Sequence, residues 1–406
     1  MKPKWRISPV VYFILTIVVA YSSLVAASAG ITFPNGSATS SETCGECHKE
    51  IYLEYTMGVG GDNRSEHTMM RAMSGDAAWV PARVSSSASA HATSGEHIKG
   101  VGDEKKGYCS SCHSPKPFAI DKMESVEKVK PADGIPGNGG ITCAGCHLTP
   151  EGAIRGTRKV DAAHKTVADP GLKTSALCAH CHGAGSDKRI AGKQMQTFLE
   201  WREDFSKPGL GKQQCQDCHM PRTLLQVAAD SGSAPRAVGR HLLMGAGSRQ
   251  RHLGSLGLTV MQPEEGKRNL SFDVVNLGGG HSVPTGPSER AVYLRVDVLD
   301  KDGNSKATKE WMFSPNFSGH PDDPAFMEED KKLPQGDAAA RADAQGPHES
   351  PLRAGEGRVL GWEPGLVAGE YTVNAKLFYT VDRFKDPQPR DEQSEIGSAN
   401  LAIAVR

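Results

Sequence analysis

The chain has 406 residues, of which 38% are hydrophobic and only 6% aromatic, and its 47 basic and 47 acidic residues give a formal net charge of 0. That balance excludes a protein that works through a basic surface, so nucleic acid is not an expected partner. No long run of one sign occurs; Asp103-Glu104-Lys105-Lys106 and Glu328-Glu329-Asp330-Lys331-Lys332 mix signs and read as solvated loops.

The first 29 residues read as an export signal. Lys2, Lys4 and Arg6 form a basic start, Val10–Ala20 is apolar except for Thr16, and Ala27-Ser28-Ala29 is a small-residue cleavage pattern. The mature chain is then expected to start near Gly30, with 44 basic against 47 acidic residues. An uncleaved anchor over Pro9–Ala29 is the alternative, since that length just spans a bilayer. Membrane association is otherwise not expected.

Five Cys-x-x-Cys-His motifs follow: Cys44/Cys47/His48, Cys109/Cys112/His113, Cys143/Cys146/His147, Cys178/Cys181/His182 and Cys215/Cys218/His219. Together they use all 10 cysteines, so none remains for a disulfide. This is the attachment sequence of a c-type haem. Two thiols bond the porphyrin covalently and the adjacent histidine lies beneath the iron. A zinc site would not place the histidine directly after the second cysteine five times over. Five covalently bound haem c groups are therefore expected, and covalent attachment outside the cytoplasm agrees with export. The last four motifs start 34, 35 and 37 residues apart and the first gap is 65. So little chain per haem cannot bury an ordinary side-chain core, and the polypeptide is expected to wrap the porphyrins.

In chain order, helices are expected over Thr43–Met57, around Ser175–His182 and over Arg189–Phe205. The last carries Met195, Phe198, Leu199, Trp201 and Phe205 at helical spacing, which reads as ordinary packing. Ser85–Ser94 reads as a loop. After about residue 254 the pattern changes. Leu256–Met261, Leu270–Val275, Ala291–Leu299, Arg358–Trp362, Glu370–Tyr379 and Ala399–Val405 alternate apolar and polar residues as strands do. Asp300–Asn304 is a turn, its acidic pattern lacking the glutamate a calcium loop needs. Pro315–Pro351 is a polar insertion. The expected architecture is α+β: a signal peptide (1–29), a pentahaem domain of short helices and loops (30–254), and a β-sandwich (255–406).

Ten histidines lie outside the motifs, and five of them would complete bis-histidine irons. The set read from the sequence is His67, His97, His164, His241 and His281. His91 competes with His97, and His252 competes with His241. His180 sits between two haem cysteines and reads as a propionate or solvent contact, while His320 and His348 read as loop residues. His281 has a distinctive frame, Asn276-Leu-Gly-Gly-Gly-His281-Ser-Val-Pro-Thr-Gly286. The glycine run permits close approach, the Pro-Thr-Gly turn rigidifies it, and together they present a ligand reaching into another domain. Met220, next to a proximal histidine, points away from a ligand role.

The chain resembles bacterial multihaem cytochromes c related to the tetrahaem electron acceptor of hydroxylamine oxidoreductase. The matching residues are Cys44-x-x-Cys-His48 with Tyr52, Tyr55 and Ser65-x-His67; Gly140-Ile-Thr-Cys143-x-x-Cys-His147; Trp201-Arg202 leading to Cys215-Gln-Asp-Cys-His-Met-Pro221; and Gly280-His-Ser-Val-Pro-Thr-Gly286 with Glu289-Arg290. The resemblance covers roughly residues 40–300. It implies ligand roles for His67, His241 and His281 and an immunoglobulin-like region beside the last of them. Five motifs where that group has four is a departure.

The expected function is electron transfer along low-spin bis-histidine haems, in anaerobic or extracellular respiration, with the protein in the periplasm or at the cell surface. No catalytic residue is assigned. Expected partners are other cytochromes or a quinol-linked donor. Two alternatives stand beside it: a reductase of a nitrogen or sulfur oxyanion with one open haem, and a subunit of a polymeric cytochrome wire. Pentahaem nitrite reductases usually have lysine in place of one proximal histidine, and all five motifs here end in histidine.

Overall fold

The computed structural model describes residues 33, 40–57, 91, 110–120, 140–183, 196–228, 234–246, 248–286, 290–315, 349–381, 383 and 394–406. The expected export signal, Cys109, His67, His97, His320 and His348 lie outside these residues.

The cysteine-bearing half is a succession of short elements. Helices α1 (Ser41–Gly45) and α2 (Lys49–Met57) flank the first motif, α3 (Cys143–His147) and α4 (Ala176–His182) contain the third and fourth, and residues 110–113 are helical across the second. Helix α5 (Thr197–Glu200) runs into a π-helical turn over Trp201–Ser206, and α6 (Cys215–His219) contains the fifth motif. Each motif forms barely one helical turn because one turn is what brings two cysteines and the histidine to one side. Two small sheets fasten the connections. Strands β1 (Ile154–Gly156) and β2 (Thr166–Ala168) pair in parallel, and β3 (Arg222–Leu225) and β4 (Arg236–Gly239) pair antiparallel. The apolar core here is small: Ala176, Ala179, Phe198 and Trp201, with Ile120, Leu199 and Phe205 against them. This is the packing role expected for the 198–205 stripe.

The turn of α7 (Arg249–His252) leads into two antiparallel sheets. One has three strands in the order β5 (Leu256–Met261), β6 (Leu270–Asn276) and β9 (Gly357–Trp362). The other has four in the order β11 (Glu395–Val405), β10 (Gly369–Thr380), β7 (Ala291–Asp300) and β8 (Ser305–Phe313). Both contribute to one core, where Phe272, Val274, Leu294, Val298, Val373 and Leu377 are essentially inaccessible to solvent. Along β6 burial alternates residue by residue, the period-2 pattern of a half-buried strand. All six strands expected from sequence form. Strand β8 was not expected. It is an edge strand paired only to β7, exposed over most of its length, so no clear apolar alternation marks it. The turn at 300–304 is closed by Asp300, whose carboxylate accepts from the Asp302 and Asn304 amides at 2.9 Å each and faces Lys306 Nζ at 2.8 Å.

Among the described residues no helix is long and apolar enough to cross a membrane. The two halves meet through the loop after β6. Its Gly280 lies against Trp201 and Phe205 of the π-helical turn, and its Ser282 bonds Glu200 of α5. These contacts bring His281 into the cysteine-bearing half.

Candidate haem-ligation site

The side chains that matter lie in histidine pairs. His48 faces His164 with ring centres 6.3 Å apart, His182 faces His91 at 6.0 Å, His147 faces His241 at 6.0 Å and His219 faces His281 at 6.1 Å. Each pair joins one motif histidine to one histidine from outside the motifs. The separation is informative. Rings in van der Waals contact would lie closer. Two imidazoles sharing one metal ion through opposed nitrogens, with metal–nitrogen bonds of roughly 2 Å, have centres roughly 6 Å apart. Four pairs at this one distance, each beside a Cys-x-x-Cys, fit a haem iron between the rings.

The second nitrogens agree. His48 Nδ1 lies 2.6 Å from the Val227 carbonyl, His147 Nδ1 3.1 Å from that of Arg155 and His281 Nδ1 2.9 Å from that of Ser282; His219 Nδ1 bonds the Met244 carbonyl. An Nδ1–H donated to a carbonyl fixes the tautomer and leaves the Nε2 lone pair for a metal. Burial reinforces this by disfavouring the charged imidazolium. It pushes His91, His241 and His281 down to about 4 and His182 to about 3, and it also lowers His147, His164 and His219. A neutral imidazole is the ligating form.

The motifs are also adjacent to one another. The Cys44 thiol stands beside that of Cys143, Cys112 beside Cys181, and Cys178 beside Cys215. Cys146 stands close enough to act electrostatically on Cys178 and Cys181. The fourth motif is thus the hub: it touches the second and fifth directly, and the third links it to the first. Two serines lock these contacts. The Cys143 amide donates to Ser41 Oγ at 3.2 Å, and the Cys215 amide donates to Ser175 Oγ at 3.0 Å. Each serine stands three residues before the first cysteine of its own motif, in Ser41-Glu-Thr-Cys44 and Ser175-Ala-Leu-Cys178, and caps the helix of a neighbour. That shared Ser-x-x-Cys was the signal that could have found them. Arg155, 2% exposed, braces the third motif from inside. Its guanidinium bonds the carbonyls of Phe118 and Leu148 and lies 3.5 Å from Asp169.

Two of the expected attachment cysteines, Cys47 and Cys218, are not gathered into this network. Cys47 is exposed, and Cys218 is partly buried like the other described motif cysteines, several of which pack against a neighbouring motif. Among the described residues neither thiol is bonded to another motif. The reason is positional. Cys47 and Cys218 are the second cysteines of the first and fifth motifs, which stand at ends of the network. In each, the first cysteine, Cys44 or Cys215, makes the contact inward, and one helical turn carries the second away from it. Cys47 and Cys218 keep their expected place as the second cysteines of their motifs. Their attachment role rests on the Cys-x-x-Cys-His spacing alone.

The loop bearing His281 is built as its glycines suggest. A Cβ on Gly278 would stand 2.5 Å from the Gly254 carbonyl oxygen, and one on Gly279 would stand 2.8 Å from Asn276 Oδ1 and Val283 Cγ2. Asn276 ties the loop from within: its Nδ2 donates to the carbonyls of His281 and Leu352 at 2.9 and 3.0 Å, and its Oδ1 accepts from the Gly279 amide at 2.9 Å.

The structure thus brings His164, His241 and His281 opposite motif histidines. His91, which competes with His97 in the sequence, also lies opposite a motif histidine. It faces His182, from the fourth motif, while His97 and His67 lie outside the described residues. The Ser/Ala-rich stretch before His91 carries no periodic signal that marks a ligand. His180 is not a solvent contact: it is 5% exposed, with its ring 4.2 Å from that of Phe118. His252 faces no motif histidine; its ring stacks on Tyr379 at 3.8 Å and its Nε2 bonds the Ala246 carbonyl at 2.8 Å.

No protein-family model and no curated protein sequence matches the chain. Among solved structures it is similar to a pentahaem cytochrome c552 from Thermochromatium tepidum, with a TM-score of 0.50 and 18% identity over 90% of this chain and 99% of that one. It also matches a family 2 glycosyl hydrolase from Bacteroides cellulosilyticus (14% identity, 37% of this chain, 15% of that one, TM-score 0.19) and the C-terminal domain of Wzt (10%, 38%, 74%, 0.21). Scores that low carry no argument. The first match extends over both halves, and the chain shares the mixed α and β fold of that structure.

Proposed function

We propose that the chain is an exported pentahaem cytochrome c that passes electrons between protein partners along bis-histidine haems. The observation that carries the reading is the set of four histidine pairs at 6.0–6.3 Å. A covalently bound haem supplies a one-electron iron couple, whose potential bis-histidine ligation keeps lower than histidine–methionine ligation does. The chain does the rest. His48, His147, His182 and His219 ligate from one side, and His164, His241, His91 and His281 from the other. With both sides filled, no coordination position remains for a small substrate. His113, with Cys109 and Cys112, holds the fifth haem, and His67 or His97 completes it. The cysteine contacts between motifs keep neighbouring haems close, which electron passage requires. The exposed Cys47 would bring an edge of the first haem toward the surface, where a partner could exchange electrons with it.

The same reading divides the chain into a signal peptide (1–29), a haem domain (30–254) and an immunoglobulin-like β-sandwich (255–406). It places the protein in the periplasm or at the cell surface, in anaerobic or extracellular respiration, exchanging electrons with other cytochromes or a quinol-linked donor. The pentahaem cytochrome c552 neighbour supports the haem count.

The test is rapid mixing of the fully reduced protein with candidate oxidants. A second multihaem cytochrome should reoxidise it quickly, whereas nitrite and hydroxylamine should do so no faster than they oxidise a sealed bis-histidine haem. Steady-state turnover of either small molecule would assign the protein to catalysis instead.

A further inference from the structure

Two of the histidines that face the motifs are held by the same device. His241 follows β4 in irregular backbone, and its amide donates to Glu54 Oε2 at 2.8 Å. Glu54 lies on α2, is 3% exposed, and its other oxygen pairs with Arg240 Nε at 2.8 Å. His281 lies in the loop after β6. The amide of the next residue, Ser282, donates to Glu200 Oε2 at 3.2 Å, and the Thr285 hydroxyl donates to the same oxygen at 2.7 Å. Glu200 ends α5, and Thr197 on that helix meets the Thr285 hydroxyl at 2.9 Å. Both carboxylates thus come from helices of the cysteine-bearing half. Both accept a backbone N–H at or beside a histidine that arrives from elsewhere in the chain.

We propose that Glu54 and Glu200 are positioning residues, carboxylate clamps that hold the backbone of a distal ligand so that its imidazole stays opposite the proximal one. The inference rests on the reading of His241 and His281 as iron ligands. Its physical basis is the irregular backbone at these points. Neither segment is in a strand, so no ladder fixes the height of the histidine over its partner. An imidazole that must sit within a few tenths of an ångström of bonding distance needs its own Cα fixed at least as well. A carboxylate is the strongest acceptor available to a backbone N–H. Taking a carboxylate out of water costs free energy, and burial raises the pKa of Glu200. A neutral acceptor would serve mere folding at lower cost, yet a carboxylate stands beside each of these two ligands. Glu54 does more than hold one ligand. It belongs to the helix that follows the first motif, yet it grips the histidine opposite the third, so one residue ties those two motifs together.

The test uses the full holoprotein, with all haems attached, and reads the oxidised spin state by electron paramagnetic resonance together with the rate of cyanide uptake. Glu54→Ala and Glu200→Ala should each convert up to one haem of the five to a high-spin or labile form, with cyanide uptake at that haem about tenfold faster or more, as expected when the open state is about ten times more populated. Glu200→Gln keeps an amide oxygen for the Ser282 N–H and the Thr285 hydroxyl and should restore most of the wild-type behaviour. Glu54→Gln keeps the acceptor but not the charge for Arg240 and should restore less. If Glu200→Ala fails to assemble its haems, Thr285→Val, which removes the hydroxyl's two hydrogen bonds and no charge, decides in its place and should accelerate cyanide uptake. His241→Ala and His281→Ala separate the two levels of the argument. If these convert one haem each while the glutamate variants behave as wild type, the clamps are refuted and the ligands stand. If the histidine variants convert none, the ligand reading falls and the clamp proposal falls with it.

Discussion

Replacing His281 with alanine tests whether the β-half takes part in the redox site. The ring makes two described contacts of consequence: it faces His219 at 6.1 Å and donates Nδ1–H to the Ser282 carbonyl at 2.9 Å. The loop itself is held by other groups. Asn276 grips its backbone, Glu200 holds Ser282 and Thr285, and Val283 and Leu352 exchange two backbone hydrogen bonds at 2.9 and 3.0 Å. The substitution therefore removes one hydrogen bond, worth about 1 kcal/mol, and leaves an imidazole-sized cavity that raises the total cost to about 2–3 kcal/mol. A core of two sheets tolerates that. The iron should not: on the proposed ligation, one haem of five should lose a nitrogen ligand. The low-spin signal should fall by one fifth, a high-spin or water-ligated species should take its place, and that haem's potential should rise. Added imidazole, free to diffuse into the cavity, should restore the low-spin state. His252→Ala is the matched control, because its ring lies on Tyr379 and faces no motif histidine. An unchanged spin state in His281→Ala would refute the reasoning and reduce the glycine-framed loop to an ordinary turn.

Other outcomes follow from the same geometry. Ser175→Ala deprives the Cys215 amide of its acceptor and should lower stability by about 1 kcal/mol, seen as a shift in thermal melting with no change in haem count. Leu377→Ala opens the shared core of the two sheets and should cost about 2–5 kcal/mol; under denaturant the haem next to His219 should then lose its low-spin signal before the other four. The intact mass of the mature chain should exceed that of the polypeptide by five haems, and a Cys109→Ser, Cys112→Ser double variant by four. Sequencing the secreted protein from its N-terminus should begin near Gly30.

What the sequence made legible is what is local. A Cys-x-x-Cys-His motif carries its chemistry within five residues, and strands such as β6 carry their alternation in seven. The glycines and proline around His281 could be read because close approach and a fixed turn demand those residues wherever the loop goes. What was not legible depends on distant partners. Nothing near His91 says that it faces His182 and not His113, since the long chain between them sets that pairing. Nor does the motif itself say that Cys47 is exposed while Cys44 and Cys215 face other motifs; that follows from where each motif stands in the network. Strand β8 hid because an edge strand with polar residues on both faces satisfies its backbone without an apolar stripe. Glu54 and Glu200 look like ordinary helix-surface glutamates until β4 and the loop after β6 are laid against them. The small core around Phe198 and Trp201 was anticipated by a count: few aromatic residues and five haem motifs leave little else to bury.

The central claim is that every iron is held between two histidines. Its most direct test is the electron paramagnetic resonance spectrum of the fully oxidised wild-type protein, integrated against its haem content. The account predicts five low-spin ferric irons per chain and no high-spin signal, before and after nitrite is added. One or more high-spin irons, shifting when nitrite binds, would contradict it and identify an open haem.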